Sequence, residues 1–197
     1  MAKHELLVIT AALMLAMAAV PADSRRRPVH LRFYMHDITG GPGQTAVLLI
    51  RGTGPPNPSM PDGSFFGDTT AVDDLLTDGP GVGSKPVGRA QGTYMLASLR
   101  EPVLVVSITV VLTGGPYNGS TIVVAGRDHV LEEVRELAVV GGTGQLRRAA
   151  GHVLWRTAKL ESPVHWVLEL DVHASVPADT AAADVSADSD SRCDFSS

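Results

Sequence analysis

Carboxylates are the side chains in this sequence best placed to do chemistry. Asp37 follows Leu31, Phe33 and Met35 at a spacing of two and so shares their face of an extended strand. A carboxylate on a buried face is costly unless it is paired or held neutral by a raised pKa, and a neutral acid can donate a proton. The same position also suits a polar residue closing a strand, because Gly40-Gly41 follows. Pattern alone supports the two readings equally. Asp128 and Arg135 stand seven residues apart beside a turn, a spacing that an ordinary exposed ion pair also satisfies.

Other chemistries find little support. The seven histidines show no H-x-H or H-E-x-x-H spacing, and no metal site is expected from them. Cys193 is the only cysteine, which excludes zinc–thiolate centres, iron–sulfur clusters and any intrachain disulfide. Gly141-Gly142-Thr143-Gly144 lacks the Lys-Ser/Thr that completes a phosphate loop, and is expected to be a tight turn or bulge requiring positive φ. No G-x-S-x-G elbow is present, so a conventional hydrolase is not indicated. Asn118-Gly119-Ser120 is an N-glycosylation acceptor in a predicted exposed turn.

The elements that must position these residues are strands. Leu31, Phe33 and Met35 alternate with Arg32, Tyr34 and His36; Trp166, Leu168, Leu170 and Val172 alternate with Val167, Glu169, Asp171 and His173. Val103–Leu112 is a β-branched run suited to a strand covered on both faces. Further strands are expected within Thr45–Arg51, Phe66–Asp73, Gly88–Ser98, Ser120–Gly126, Val134–Val140 and Ala149–Thr157, separated by Gly/Pro-rich turns. Only Asp128–Glu136 could pass for a helix. This is an all-β pattern, sandwich or barrel, and the lack of a disulfide favours the barrel, whose closure removes sticky edges.

The ends set the compartment. Leu6 to Val20 is apolar apart from Thr10, and Val20-Pro21-Ala22 supplies small residues before polar Asp23-Ser24-Arg25, the pattern of a cleaved secretory signal over residues 1–22. The apolar stretch is shorter than the roughly 20 residues a spanning helix needs. Residues 23–28 are expected to be a flexible leader, 29–175 the folded domain and 176–197 a disordered acidic tail. Of the net charge of −5, the tail carries most through five Asp against one Arg. The near-neutral body has no electrostatic footprint for nucleic acid. Arg25-Arg26-Arg27 reads as a solvated start rather than a polyanion-binding patch.

Longer motifs carry a resemblance. Phe33-Tyr34-Met35-His36-Asp37, Val72-Asp73-Asp74-Leu75-Leu76-Thr77-Asp78-Gly79-Pro80 and Lys85-Pro86-Val87-Gly88-Arg89-Ala90-Gln91-Gly92-Thr93-Tyr94 follow in order. Val134-Arg135-Glu136-Leu137-Ala138-Val139-Val140-Gly141-Gly142-Thr143-Gly144-Gln145-Leu146-Arg147 is the strongest stretch. Over residues 30–175 the chain resembles the dirigent proteins of plants, and its Val72–Pro80 stretch is similar to the branch containing pterocarpan-forming dehydratases. The resemblance implies an eight-stranded antiparallel β-barrel, trimeric or dimeric, glycosylated and secreted to the apoplast. Its implied ligands are phenylpropanoid radicals or quinone methides, with no cofactor of its own. Oxidation is left to a separate laccase or peroxidase. Asp37, Asp128 and Arg135 then match polar pocket residues acting on the ligand, and Tyr94 matches a pocket tyrosine. The alternatives are a cofactor-free dehydratase-cyclase acting on an isoflavonoid alcohol, and a wall-binding protein that organises lignin.

Overall fold

Apolar residues at every second position give a strand one face for a core and one for solvent, and more than half of the described residues lie in strands. The computed structural model describes residues 26–178; the expected signal and all but the first residues of the expected tail lie outside them. The described strands are β1 (Arg26–Ile38), β2 (Ala46–Ile50), β3 (Thr69–Thr77), β4 (Pro86–Leu96), β5 (Val103–Leu112), β6 (Thr121–His129), β7 (Arg135–Thr143), β8 (Ala150–Ser162) and β9 (His165–Pro177). Every pairing is antiparallel.

The order β1-β9-β8-β7-β6-β5-β4-β3 returns to β1 through a second pairing, so eight strands close an antiparallel barrel. The expected architecture is therefore the observed one. The closing seam is short: only Tyr34, Met35 and His36 pair with β3, through Thr77, Leu76 and Leu75. His36 reinforces it from the outer face, where its Nε2 lies 2.9 Å from Thr77 Oγ1 and its Nδ1 lies 3.2 Å from His165 Nε2. Burial holds the His36 imidazole below its usual pKa, with His165 adding to the effect. Beyond the seam, β2 takes over as the partner of β3, through Ala46–Ile50.

The inward residues of all eight barrel strands form one core that includes Phe33, Met35, Leu76, Val110, Ile122, Leu137, Val153 and Leu170. Close approach of strands is permitted by glycine at inward positions. A Cβ on Gly92 or Gly151 would lie 2.1 Å from a carbonyl oxygen of the neighbouring strand. The Gly141–Gly144 motif is a bulged strand end rather than a tight turn: Gly141–Thr143 pair with β6 as part of β7, and of its glycines only Gly144 takes positive φ. Val140 is bulged, since Val123 pairs with Gly141 while Val124 pairs with Val139, and Gly144 takes φ +58 to open a 3₁₀ turn.

Several boundaries differ from the sequence expectation. Arg26–Pro28, expected in a flexible leader, pair with Ser175–Pro177. Arg26 fastens this end by donating to Ser175 Oγ, to the Ser175 carbonyl and to the Arg148 carbonyl. The third strand begins at Thr69 rather than Phe66 because Asp68 accepts bonds from the backbone N–H groups of Gly52 and Phe65 and holds a turn there. Asp128–Glu136, the one candidate helix, is instead the end of β6, a turn and the start of β7.

Candidate functional site: an acid-lined barrel lumen

The antiparallel order brings the C-terminal ends of β1, β4, β6 and β8 to the same end of the barrel as the N-terminal ends of β3, β5, β7 and β9. At this end the core becomes polar. Asp37 continues the inward series of β1 and is buried, which decides its open alternative: it is a lumen carboxyl, not a solvated turn residue. Trp166 stands opposite it on β9. On β3, period two divides two adjacent aspartates. Asp73 faces out to Arg89 and Gln91, whereas Asp74 faces in and is fully buried. Tyr94 on β4 pairs with Thr70 and is also turned inward.

Asp37, Asp74 and Tyr94 form one electrostatic group. Burial pushes Asp37 up to about 6. Burial, then the charge of Asp37, pushes Asp74 up to about 8, against a 2.5 Å hydrogen bond donated by Thr45 Oγ1. The Tyr94 phenol is raised by burial and by both carboxylates. At mildly acidic pH all three are therefore neutral donors. Asp37 Oδ1, Asp74 Oδ2 and the indole Nε1 of Trp155 are buried with no hydrogen-bond partner. Buried polar atoms without a protein partner are costly unless a bound water or ligand pairs with them.

Asp128 and Arg135 form a second group. The β6–β7 register pairs Ala125 with Ala138 and Val124 with Val139; continued outward, it sets Asp128 directly across from Arg135. Their spacing of seven is thus the signature of a hairpin. Arg135 Nε donates to Asp128 Oδ1 at 2.9 Å, and its Nη1 donates to Thr157 Oγ1 at 3.2 Å and to the Glu132 carbonyl at 3.1 Å. Both side chains are under 10% exposed, so this is a buried ion pair and not the ordinary surface pair that the residues alone allowed. Burial raises the Asp128 carboxyl more than the Arg135 charge lowers it. Arg135 can hold this carboxylate as an anion when a proton acceptor is needed, or turn a donor toward a phenolate.

The sequence reading named Asp37, Tyr94, Asp128 and Arg135, and all four face the lumen. It missed Asp74, Thr157 and the two tryptophans. Asp74 had the signal that identified Asp37: an acid in register with the apolar residues Val72 and Leu76. Thr157 and Trp155 had none, because they gain their role from facing Leu168 and Arg135 across β8's two neighbours. The loop 51–68 leaves from this same end. Buried Asn57 ties it across the β4–β5 turn by donating to the Ser98 and Glu101 carbonyls at 2.8 and 2.9 Å. Asn118 lies apart on the exposed turn after β5.

Fold and site together define a closed antiparallel β-barrel whose largely apolar interior carries buried acids and a buried ion pair at one end. Comparison with known proteins gives this class a family. The Dirigent-like protein family model matches residues 28–175, and the chain belongs to the dirigent family. It is 37% identical over 171 residues to Dirigent protein 1 of Arabidopsis thaliana, covering 81% of this chain and 92% of that one. To Pterocarpan synthase 1 of Glycine max it is 44% identical over 124 residues, which is 62% of this chain and 64% of the relative. A solved pterocarpan synthase dirigent protein superposes with a TM-score of 0.69 at 35% identity, over 77% of this chain and 86% of the other.

Proposed function

We propose that the barrel binds a phenylpropanoid-type quinone methide and directs which face of it an internal hydroxyl attacks. The observation that carries this is the lumen itself: two buried carboxylic acids with unpaired oxygens on one wall and a carboxylate–guanidinium pair on another. In the closure step the hydroxyl oxygen forms a C–O bond to the methide carbon. The methide oxygen takes a proton from neutral Asp37 or Asp74 and becomes a phenol, while Asp128, held ionised by Arg135, takes the hydroxyl proton. Atoms and charge balance within the site. Apolar walls such as Met35, Leu76 and Leu168 keep out water that would add without selectivity.

The quinone methide has two sources. In the leading reading it arises by coupling of coniferyl-alcohol-type radicals made by a separate laccase or peroxidase, and the chain adds stereocontrol in the manner of a dirigent protein. In the second, the barrel makes it in place by expelling water from an isoflavonoid alcohol; relatives and solved structures named pterocarpan synthases favour this, as do acids able to protonate a leaving hydroxyl. Neither route asks the chain for a cofactor. One comparison separates them. Enantiomeric enrichment from coniferyl alcohol plus a one-electron oxidant supports the first, and conversion of the alcohol without oxidant supports the second. Neither product, with tight binding to wall polymer, would leave the structural lignin-organising role.

Export to the apoplast would place the barrel where such radicals form. Glycosylation at exposed Asn118 would be seen as a loss of mass on enzymatic deglycosylation. Strand β2 presents Val47, Leu48, Leu49 and Ile50 at 42–63% exposure, an apolar surface of the kind covered by association, and a homotrimer is the assembly we expect.

A further inference from the structure

On the outer wall, away from the lumen, three imidazoles stand in a row across three strands. The register pairs His30 of β1 with His173 of β9, and His173 with His152 of β8. The rings of His30 and His173 stack at 4.6 Å between centroids, and those of His152 and His173 at 5.3 Å. Asp171, two residues before His173 and on the same face, reaches both sides of the first pair. Its Oδ1 lies 2.6 Å from His30 Nε2 and its Oδ2 lies 3.2 Å from His173 Nε2.

We propose that His30, Asp171 and His173 form a binding site for a first-row transition-metal dication of the zinc or copper class. One ligand atom from each side chain lies within 4.8 Å of the others, so the three already surround a point. Zinc takes His nitrogen and carboxylate oxygen at about 2.0–2.2 Å, which sets tetrahedral ligand atoms about 3.3 Å apart. The two contacts, 2.6 and 3.2 Å, need to open by less than an ångström to reach that spacing. Two imidazoles and one carboxylate are the donor set such ions prefer over magnesium or calcium, which favour all-oxygen sites. The side chains are 63%, 20% and 42% exposed, so an ion can enter and water can complete its shell. The neighbouring cation, Arg32, is turned to Glu169 at 2.9 Å rather than into the site.

The site is remote from the lumen acids. Seven residues of extended strand separate His30 from Asp37, on the order of 23 Å at ~3.3 Å per residue. The ion's role is accordingly structural. It would clip β1 to β9, the strands from opposite ends of the folded domain, in a chain whose single cysteine cannot form an intrachain disulfide. Sequence spacing could not reveal it, because His30 meets Asp171 and His173 only through the β1–β9 register.

The test is titration of tag-free, chelator-treated protein with Zn²⁺ and, separately, Cu²⁺ by isothermal calorimetry, alongside thermal unfolding with and without the metal. The expected result is one ion per chain. Affinity should weaken at least tenfold in each of His30→Ala, Asp171→Asn and His173→Ala, and the wild-type Tm should rise roughly 5–10 °C at a hundredfold excess over Kd. These side chains are on the outer wall, so the variants should keep the wild-type circular dichroism. Absence of binding, or binding that survives all three substitutions, would overturn the site.

Discussion

Asp74→Asn probes the most unusual feature of the lumen without any substrate. The wild-type carboxyl is buried on β3 with one oxygen unpaired, and its pKa is pushed from 3.8 up to about 8 by burial and by Asp37. In the unfolded chain it ionises near pH 4. Between those values the native state holds a proton that the unfolded state has released, so raising the pH favours unfolding. The contribution is complete below pH 4, is lost progressively up to about pH 8 and is flat beyond. At about 1.4 kcal/mol per pH unit, four units give on the order of 5 kcal/mol, an upper bound because water at the barrel mouth solvates part of the anion. Asparagine cannot ionise and removes this slope. The assay is urea unfolding of both proteins from pH 4 to 9, read as the difference between them. Taking the difference cancels groups of opposite sign, such as His36, whose lowered pKa costs stability as the pH falls. The variant should gain on the wild type by several kcal/mol between pH 5 and 8, while Asp37→Asn should show a smaller gain confined to pH 4–6. Parallel curves for wild type and Asp74→Asn would refute the claim that a neutral acid is held in the lumen.

Two further substitutions follow from the same geometry. Arg135→Ala strands the buried Asp128 carboxylate and should cost about 3–5 kcal/mol at neutral pH, measured by denaturant midpoint; Asp128→Asn in the same chain should recover part of it. Leu49→Asp sets a charge on the exposed apolar strand β2 and should shift the sedimenting species to monomer with the barrel's circular dichroism unchanged.

Residues whose environment is set by their own strand were legible in the sequence; those set by a neighbouring strand were not. Asp37 could be placed on the apolar face of β1 by parity, and Asp74 could have been placed by the same count. The alternation of Leu31–Met35 and Trp166–Val172 gave two barrel strands, and the long motifs gave the family. Asp128 and Arg135 shared a visible spacing, but spacing does not report burial. Only the hairpin register, with Thr157 delivered from β8, shows the pair to be inside. Strand ends were misplaced where tertiary bonds decide them, as with Arg26 on Ser175 and Asp68 on Gly52. The histidine row was invisible for the same reason, since His30, His152 and His173 are scattered along the chain and adjacent only across strands.

The central claim is that this lumen controls the face of quinone-methide closure, and enantiomer composition measures it most directly. Coniferyl alcohol with a one-electron oxidant, and an isoflavonoid alcohol without one, are each incubated with wild type and with Asp37→Asn, and the products are separated on a chiral column. A face preference of about 2–3 kcal/mol corresponds to roughly 97–99% of one enantiomer. The account predicts that excess for the wild type in one of the two reactions and a sharp fall in the variant. Racemic product from the wild type in both, or an excess that the variant leaves unchanged, would contradict it.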